Sequence, residues 1–256
     1  PPVILIMGGM ASMLWWPDGL CSALAEAGRF VIRYDNRDTG RSTTRPPGPP
    51  DYAMDDMADD AVAVLDGHGV ASAHLVGMSL GGMIAQLAAL KHPARVRTLT
   101  MISSCAFDED DSALPAMDPA LLAHFSGMAD LDWTDRDAVV AFHVESARIS
   151  AGTEAEFDEV AACDLARREY DRALNPRSAM NHSLLAGGDA WAGRLSEIAA
   201  PALVIHGRHD PVLSLEHGRR LAAKLGDARL VVFDGGHELN PRDWERIVDE
   251  ICAHTA

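Results

Sequence analysis

The sequence predicts an α/β protein: a mostly parallel sheet with helices on both faces, interrupted by an inserted helical cap. Three observations carry this. Short continuous apolar runs alternate with helix-period stretches, as in strand–helix–strand units whose sheet is buried on both sides. From about Phe107 to Leu195 the strand-like runs stop and only helical segments follow. Strand signals then resume, and the chain closes on a helix. The expected organisation is a core of residues 1–106 and 196–256, with residues 107–195 as the cap.

The elements follow in order. VILIM (3–7) is a buried-strand run ending in Gly8-Gly9, and Pro17 to Ala27 is helical with Gly28 as its stop. FVIRY (30–34) is a second strand that leads into the polar loop DNRDTGRS, and RPPGPP (45–50) is a rigid surface loop. Residues 54–66 set acids among Ala, Val and Leu at helical spacing. AHLVG (73–77) is a third strand, GMIAQLAALKHP a helix stopped by Pro93, and VRTLTMIS (96–103) a fourth strand. Helical segments are expected around 119–128, 135–150, 153–171 and 177–186. ALVIHG (202–207) and RLVVF (229–233) are the last strands, before a helix from about Asp243 to His254.

The chain has 256 residues, enough for one domain with an insertion, and its 48% apolar and 23% charged content is ordinary for a soluble globular protein. Its 22 basic and 38 acidic residues leave a net charge of −16, which opposes nucleic-acid binding and docking on anionic membranes. Cys21, Cys105, Cys163 and Cys252 are far apart and form no Cys/His cluster. No metal is expected, and buried free thiols in a reducing compartment suggest a cytoplasmic protein. No signal peptide is visible, although the chain opens on Pro1-Pro2 without a Met, so that further sequence is expected before Pro1.

HLVGMSLGGMIA (74–85) admits three readings. Residues 69–90 contain no Asp, Glu, Lys or Arg, so the stretch has membrane-span character; it is also compatible with one buried helix. The third reading, a strand turning sharply into a helix, fits the sheet that the flanking segments require. Gly77-Met78-Ser79-Leu80-Gly81 then matches G-x-S-x-G in its confirming strand–turn–helix context. The glycines clear space around a strained, exposed serine, and the following helix aims its N-terminus at the hydroxyl.

Serine is a poor nucleophile until a base takes its proton. The loop RHDPV after ALVIHG offers Asp210, and DGGHELN after RLVVF offers His237; both fall at the same sheet edge as Ser79. His206 and His209 flank the acid loop and have no loop of their own, while Asp234 is a rival acid close to His237 in sequence. Ser79, Asp210 and His237 are therefore the expected catalytic set. Two backbone amides are needed for an oxyanion: Leu80, after the nucleophile, and Gly9 in the MGGM loop, with Met10 second.

With these features the chain resembles the α/β-hydrolase superfamily over essentially its whole length. MGGMASMLWWPD, VIRYDNRDTGRSTT, AVAVLDGHGV and LVGMSLGG resemble the aclacinomycin methylesterase type of hydrolase. The resemblance implies removal of a methyl ester from an anthracycline, with the triad carried over to Ser79, Asp210 and His237 and the oxyanion amides to Gly9 and Leu80. It does not extend to residues 107–195, where substrate choice is expected to lie. No cofactor is implied, the expected partner is a small-molecule substrate, and the oligomeric state is open. Carbon–carbon bond hydrolases, lactonases and cofactor-free perhydrolases share such a triad, and a non-catalytic receptor is the reading from another class; a serine at position 79 argues against the Asp-nucleophile dehalogenases and epoxide hydrolases.

Met10, Met78, Trp133, His143, Asn181 and His182 are candidate substrate contacts, with Trp191 beside them; a core or surface role is the alternative for the cap residues. The loop from Asp35 to Ser42 carries two arginines that suggest an anion site, but a structural turn fixed by Arg–Asp pairs and Gly40 fits better. Asp55, Asp56, Asp59 and Asp60 suggest a divalent cation, against which stands a solvated helix start.

Overall fold

A computed structural model describes residues 1–108, 113–152, 157–226 and 228–256. Six strands, β1 (Pro2–Ile6), β2 (Phe30–Arg33), β3 (Ala73–Met78), β4 (Val96–Ile102), β5 (Ala202–Gly207) and β6 (Arg229–Phe233), form one sheet in the order β2-β1-β3-β4-β5-β6. Every pairing is parallel. All strands therefore end at one edge, and the chain reverses direction across the sheet between β1 and β3. That crevice is where open parallel sheets bind ligands.

Strand side chains alternate between faces, and the two sides of the core follow that period. Val3, Leu5 and Met7 pack with Leu20 and Leu24 of α1 (Asp18–Glu26) and with Ile247, Val248 and Ile251 of α8 (Trp244–His254). Ile4 and Ile6 face the other way, toward α2 (Met54–Gly67), α3 (Leu80–Lys91) and α7 (Leu215–Lys224). The expected membrane-span character of 74–85 dissolves into β3 and α3, and no described helix is long and apolar enough to cross a membrane. Helix α7 was not anticipated: its buried face is short and includes His217 and Gly218 beside Leu221 and Ala222.

Between β4 and β5 the described residues form helices only. These are α4 (Pro119–Ser126), α5 (Arg136–Ser150) and α6 (Glu159–Arg172). Asp118, Asp135 and Asp158 cap them by accepting hydrogen bonds from first-turn amides. The helix expected from 153 starts at Glu159, after the Asp158 cap; residues 153–156 lie outside the described residues. The segment expected as a helix at 177–186 is a 3-10 helix, Pro176–Leu184. The acids of α2 are not merely solvated. Asp55 accepts from the Gly188 amide, Asp56 from Ala53, Asp59 meets Lys91 and His92, and Asp60 meets Arg37. Of the four cysteines Cys105 is buried, while Cys21, Cys163 and Cys252 are partly exposed.

Candidate active site

The chain leaves β3 at Ser79, whose φ of 52° and ψ of −123° lie where a residue with a Cβ is strained. The surroundings hold it there. The Ser79 amide donates to the Ile102 carbonyl at 2.9 Å, and Ser104 Oγ donates to the Ser79 carbonyl at 2.8 Å. A Cβ on Gly77 would overlap the Gly81 carbonyl, and one on Gly81 would overlap the Ile6 carbonyl, so the bend admits only glycine at both places. With its backbone fixed, Ser79 presents its side chain to a cavity of about 680 Å³ at the ends of the strands. Leu80 begins α3, so its amide lies among those a helix leaves without an intrahelical acceptor.

His237 lines the same cavity. Its Nδ1 lies 2.8 Å from Asp210 Oδ2, and Asp210 Oδ1 accepts from the Val212 and Leu213 amides at 2.9 Å each. The loop is tied from above, because the His237 amide donates to the Ser150 carbonyl at the end of α5 at 2.8 Å. Burial opposes charging the imidazole, but the Asp210 charge and hydrogen bond outweigh it and hold His237 above the usual histidine value. Burial likewise works against the Asp210 carboxylate, and His237 overcomes it, keeping that carboxyl below the usual range. Ser79 Oγ and His237 share the cavity without a direct hydrogen bond. Asp234, the rival acid, pairs with His209 at 2.9 Å on the surface, and buried His206 gives its Nε2 to the Leu213 carbonyl at 2.8 Å.

The two candidate amides of the MGGM loop are in different situations. The Met10 N–H donates to His182 Nδ1 at 3.0 Å, whereas the Gly9 N–H meets no described acceptor. Gly9 and Leu80 both line the cavity. The tight position is Gly8 rather than Gly9, since a Cβ there would stand 3.1 Å from Ser79 Cβ. His182 closes the arrangement: with Nδ1 accepting from Met10, its Nε2 donates to the Arg37 carbonyl at 2.8 Å, and burial holds its pKa below the usual histidine value.

Met10, Met78, Trp133, His143 and His182 all stand on the cavity wall. Asn181 does not; it is buried behind the wall, donating to Asp38 and Pro46 and accepting from the Gly48 amide. Trp191 also lies elsewhere, stacked under Arg194. The loop from Asp35 to Ser42 is the structural turn its Arg–Asp pairs suggested. Arg172 meets Asp35 at 2.7 Å, Arg37 grips Asp60 through two bonds of 2.6 and 2.7 Å, and Gly40 has φ of 51°. Sequence reasoning missed most of the wall, which includes eight methionines and five Trp or Phe side chains. The one available signal was the methionine count, 11 in the chain. It also missed Ser104 and Glu238. Among the described residues no group of three or more His, Cys, Asp or Glu is placed to hold a metal ion.

Comparison with known proteins identifies the family to which this fold belongs. A family model described as the alpha/beta hydrolase fold matches residues 1–241. Rhodomycin D methylesterase DnrP of Streptomyces peucetius is 36% identical over 273 aligned residues, covering 99% of this chain and 90% of that protein. A 2-hydroxymuconate semialdehyde hydrolase of Pseudomonas putida is 29% identical over 240, covering 91% and 78%. The solved structure of a hydrolase from Pseudomonas aeruginosa superposes with a TM-score of 0.74 at 26% identity, covering 99% and 89%. The chain belongs to the α/β-hydrolase family, and to the methylesterase type that its N-terminal motifs resemble.

Proposed function

We propose that this chain hydrolyses carboxylic esters of bulky, ring-containing molecules, with Ser79 as nucleophile, His237 as general base and acid, and Asp210 as the group that orients the imidazole. The observation that carries this reading is the His237–Asp210 pair, 2.8 Å apart, facing the cavity into which strained Ser79 also projects. With Nδ1 held by Asp210, Nε2 is the nitrogen left to take the Ser79 proton. Ser79 Oγ attacks the ester carbonyl, and the carbonyl oxygen gathers charge against the Gly9 and Leu80 amides. Collapse expels the alkoxide, to which His237 returns the proton. A water deprotonated by His237 then attacks the acyl-enzyme and releases the acid and Ser79.

The walls speak to the substrate. Methionines and aromatics fit an irregular apolar body, thioether sulfur packs well on rings, and the volume lies within the range of small-molecule sites. Together with the methylesterase relative, this favours a methyl ester on an aromatic polycycle. Residues 107–195 act as the cap, contributing Phe125, Trp133, Phe142 and His143 to the roof.

A panel of aromatic methyl esters, lactones, thioesters and β-diketones, run on wild type and Ser79→Ala, tests the reading. Methyl esters are expected to turn over, and Ser79→Ala to lose that activity. Ester turnover that survives in Ser79→Ala would refute it. Selective β-diketone cleavage would favour the carbon–carbon hydrolase reading that the Pseudomonas putida relative supports.

A further inference from the structure

The two amides assigned to the oxyanion are supported in different ways. Leu80 opens α3, so the helix and the elbow before it fix its N–H. Gly9 has no such support, because it lies in a loop and a glycine leaves its own backbone free. What it has is a pinned neighbour. Met10 stands in the left-handed region, at φ of 62°, where a residue with a side chain is uncommon and needs an outside hold. Its N–H donates to His182 Nδ1 at 3.0 Å, and the ring is anchored on its far side by Nε2, which donates to the Arg37 carbonyl at 2.8 Å. A carbonyl only accepts and an amide N–H only donates, so these partners fix the tautomer that leaves Nδ1 bare.

We propose that His182 is a positioning residue for the oxyanion site: by accepting the Met10 N–H it holds the peptide that follows Gly9, and so turns the Gly9 N–H toward the cavity. Several placements support this. A Cβ on Gly9 would stand 3.8 Å from His182 Cβ and 3.6 Å from Leu80 Cδ2, so the glycine lies between the base of the ring and the second donor residue. One residue earlier, Gly8 is pressed against Ser79, which keeps the loop beside the nucleophile. Further along, the Ser12 and Met13 amides are held separately, by Glu169 and Asp35, so within this loop His182 holds the Gly9–Met10 peptide. Burial, which keeps the His182 pKa below the usual histidine value, favours the bare Nδ1. The side chain comes from the 3-10 helix Pro176–Leu184, on the wall beside the loop rather than in the roof.

The role rests on the hydrolase reading, and the test keeps the two apart. An asparagine side chain places its oxygen near the position of Nδ1, whereas a glutamine reaches the Nε2 position and keeps only the Arg37 contact. Each variant is measured with benzyl trifluoromethyl ketone and with the matching carbinol. Ser79 Oγ adds to the ketone carbon, its proton passes to His237, and the carbonyl π pair becomes an alkoxide facing the two amides; the carbinol forms no such adduct. His182→Gln is expected to weaken the ketone about a hundredfold, to leave the carbinol within about twofold, and to lower kcat for a methyl ester about a hundredfold at nearly unchanged KM. His182→Asn is expected to recover most of both losses. By NMR, the Met10 amide is expected to exchange its hydrogen faster in His182→Gln than in wild type or His182→Asn. Should His182→Gln not fold, the α-hydroxy acid of methionine placed at position 10 removes the donor instead, with the same expected losses. An unchanged ketone affinity or Met10 exchange rate in His182→Gln would overturn the role. So would equal weakening of ketone and carbinol, equal losses in the two variants, or a loss taken wholly in KM. A ketone preference that persists in Ser79→Ala would instead sink the hydrolase reading, while the exchange measurement would still decide whether His182 holds the loop.

Discussion

In the sheet and the helices against it, large side chains such as Trp16, Leu20, Leu87 and Leu99 are sealed from solvent. In the segment between β4 and β5, Leu122, Leu174, Leu184 and Val160 stand more than half exposed, at 59%, 65%, 54% and 81%. The attachments differ in the same sense. Strands join through parallel ladders and interdigitated apolar faces. The inserted segment joins the core through apolar side chains such as Phe107, Leu185 and Leu195 and through polar contacts: Arg172 on Asp35, Glu169 on Ser12, Asn181 on Asp38 and His182 on Met10. The floor of the cavity thus has rigid backbone at Ser79, while its roof is methionine and aromatic side chain on a thinner support. One region fixes the backbone at Ser79, and the other brings side chains from several separate segments to the cavity.

The largest way to break this comparison lies on the floor. Asp210→Asn is expected to keep the fold and lower kcat by roughly 10⁴-fold, since the amide no longer enforces the imidazole tautomer; a loss below tenfold would move the orienting role elsewhere. Leu99→Ala, within β4, is expected to cost about 2–5 kcal/mol in denaturant unfolding, while Leu122→Ala on α4 stays within about 0.5 kcal/mol. Equal costs would erase the distinction between the regions.

Arg172→Ala tests the attachment. It leaves buried Asp35 with the Met13 and Arg41 amides but no cation, and is expected to destabilise by about 3 kcal/mol. It should also raise KM more than it lowers kcat, because the roof loosens before the floor does. An unchanged KM with a collapsed kcat would mean that the roof positions the chemistry. The smallest effect concerns protons. His237 acts as a base only when neutral, and its value is raised, so kcat/KM is expected to fall as pH drops through a midpoint above 6.5. Ionised Glu238 contributes to that rise, so Glu238→Gln should move the acid limb to lower pH. A limb that moves up would contradict the placement of the two groups.

The sequence was legible where structure is local. The strands VILIM, AHLVG and ALVIHG read as buried because continuous apolar runs have no other use in a two-sided sheet, and the elbow read clearly because backbone crowding leaves glycine no substitute at 77 and 81. Asp210 and His237 followed from the same logic, as polar residues just past strand ends. The cavity wall was not legible in this way. Met7, Met54, Met83, Met117 and Met180 meet in one cavity from separate parts of the chain, and no periodicity announces a surface assembled by tertiary packing. Asn181 misled for a related reason. A buried amide beside a cavity has the same sequence appearance whether it faces the lumen or, as here, turns to Asp38. Glu238 was passed over because one acid in a polar loop resembles any other until its lack of partners is visible.

The central claim is that the strained hydroxyl at the end of β3 is the nucleophile. Reacting the wild-type protein with a fluorophosphonate, followed by intact-mass and peptide analysis, tests it most directly. The account predicts stoichiometric modification of Ser79, abolished in Ser79→Ala and slowed by loss of His237. Labelling at another serine, or an unlabelled Ser79 in a folded protein that still turns over esters, would contradict it.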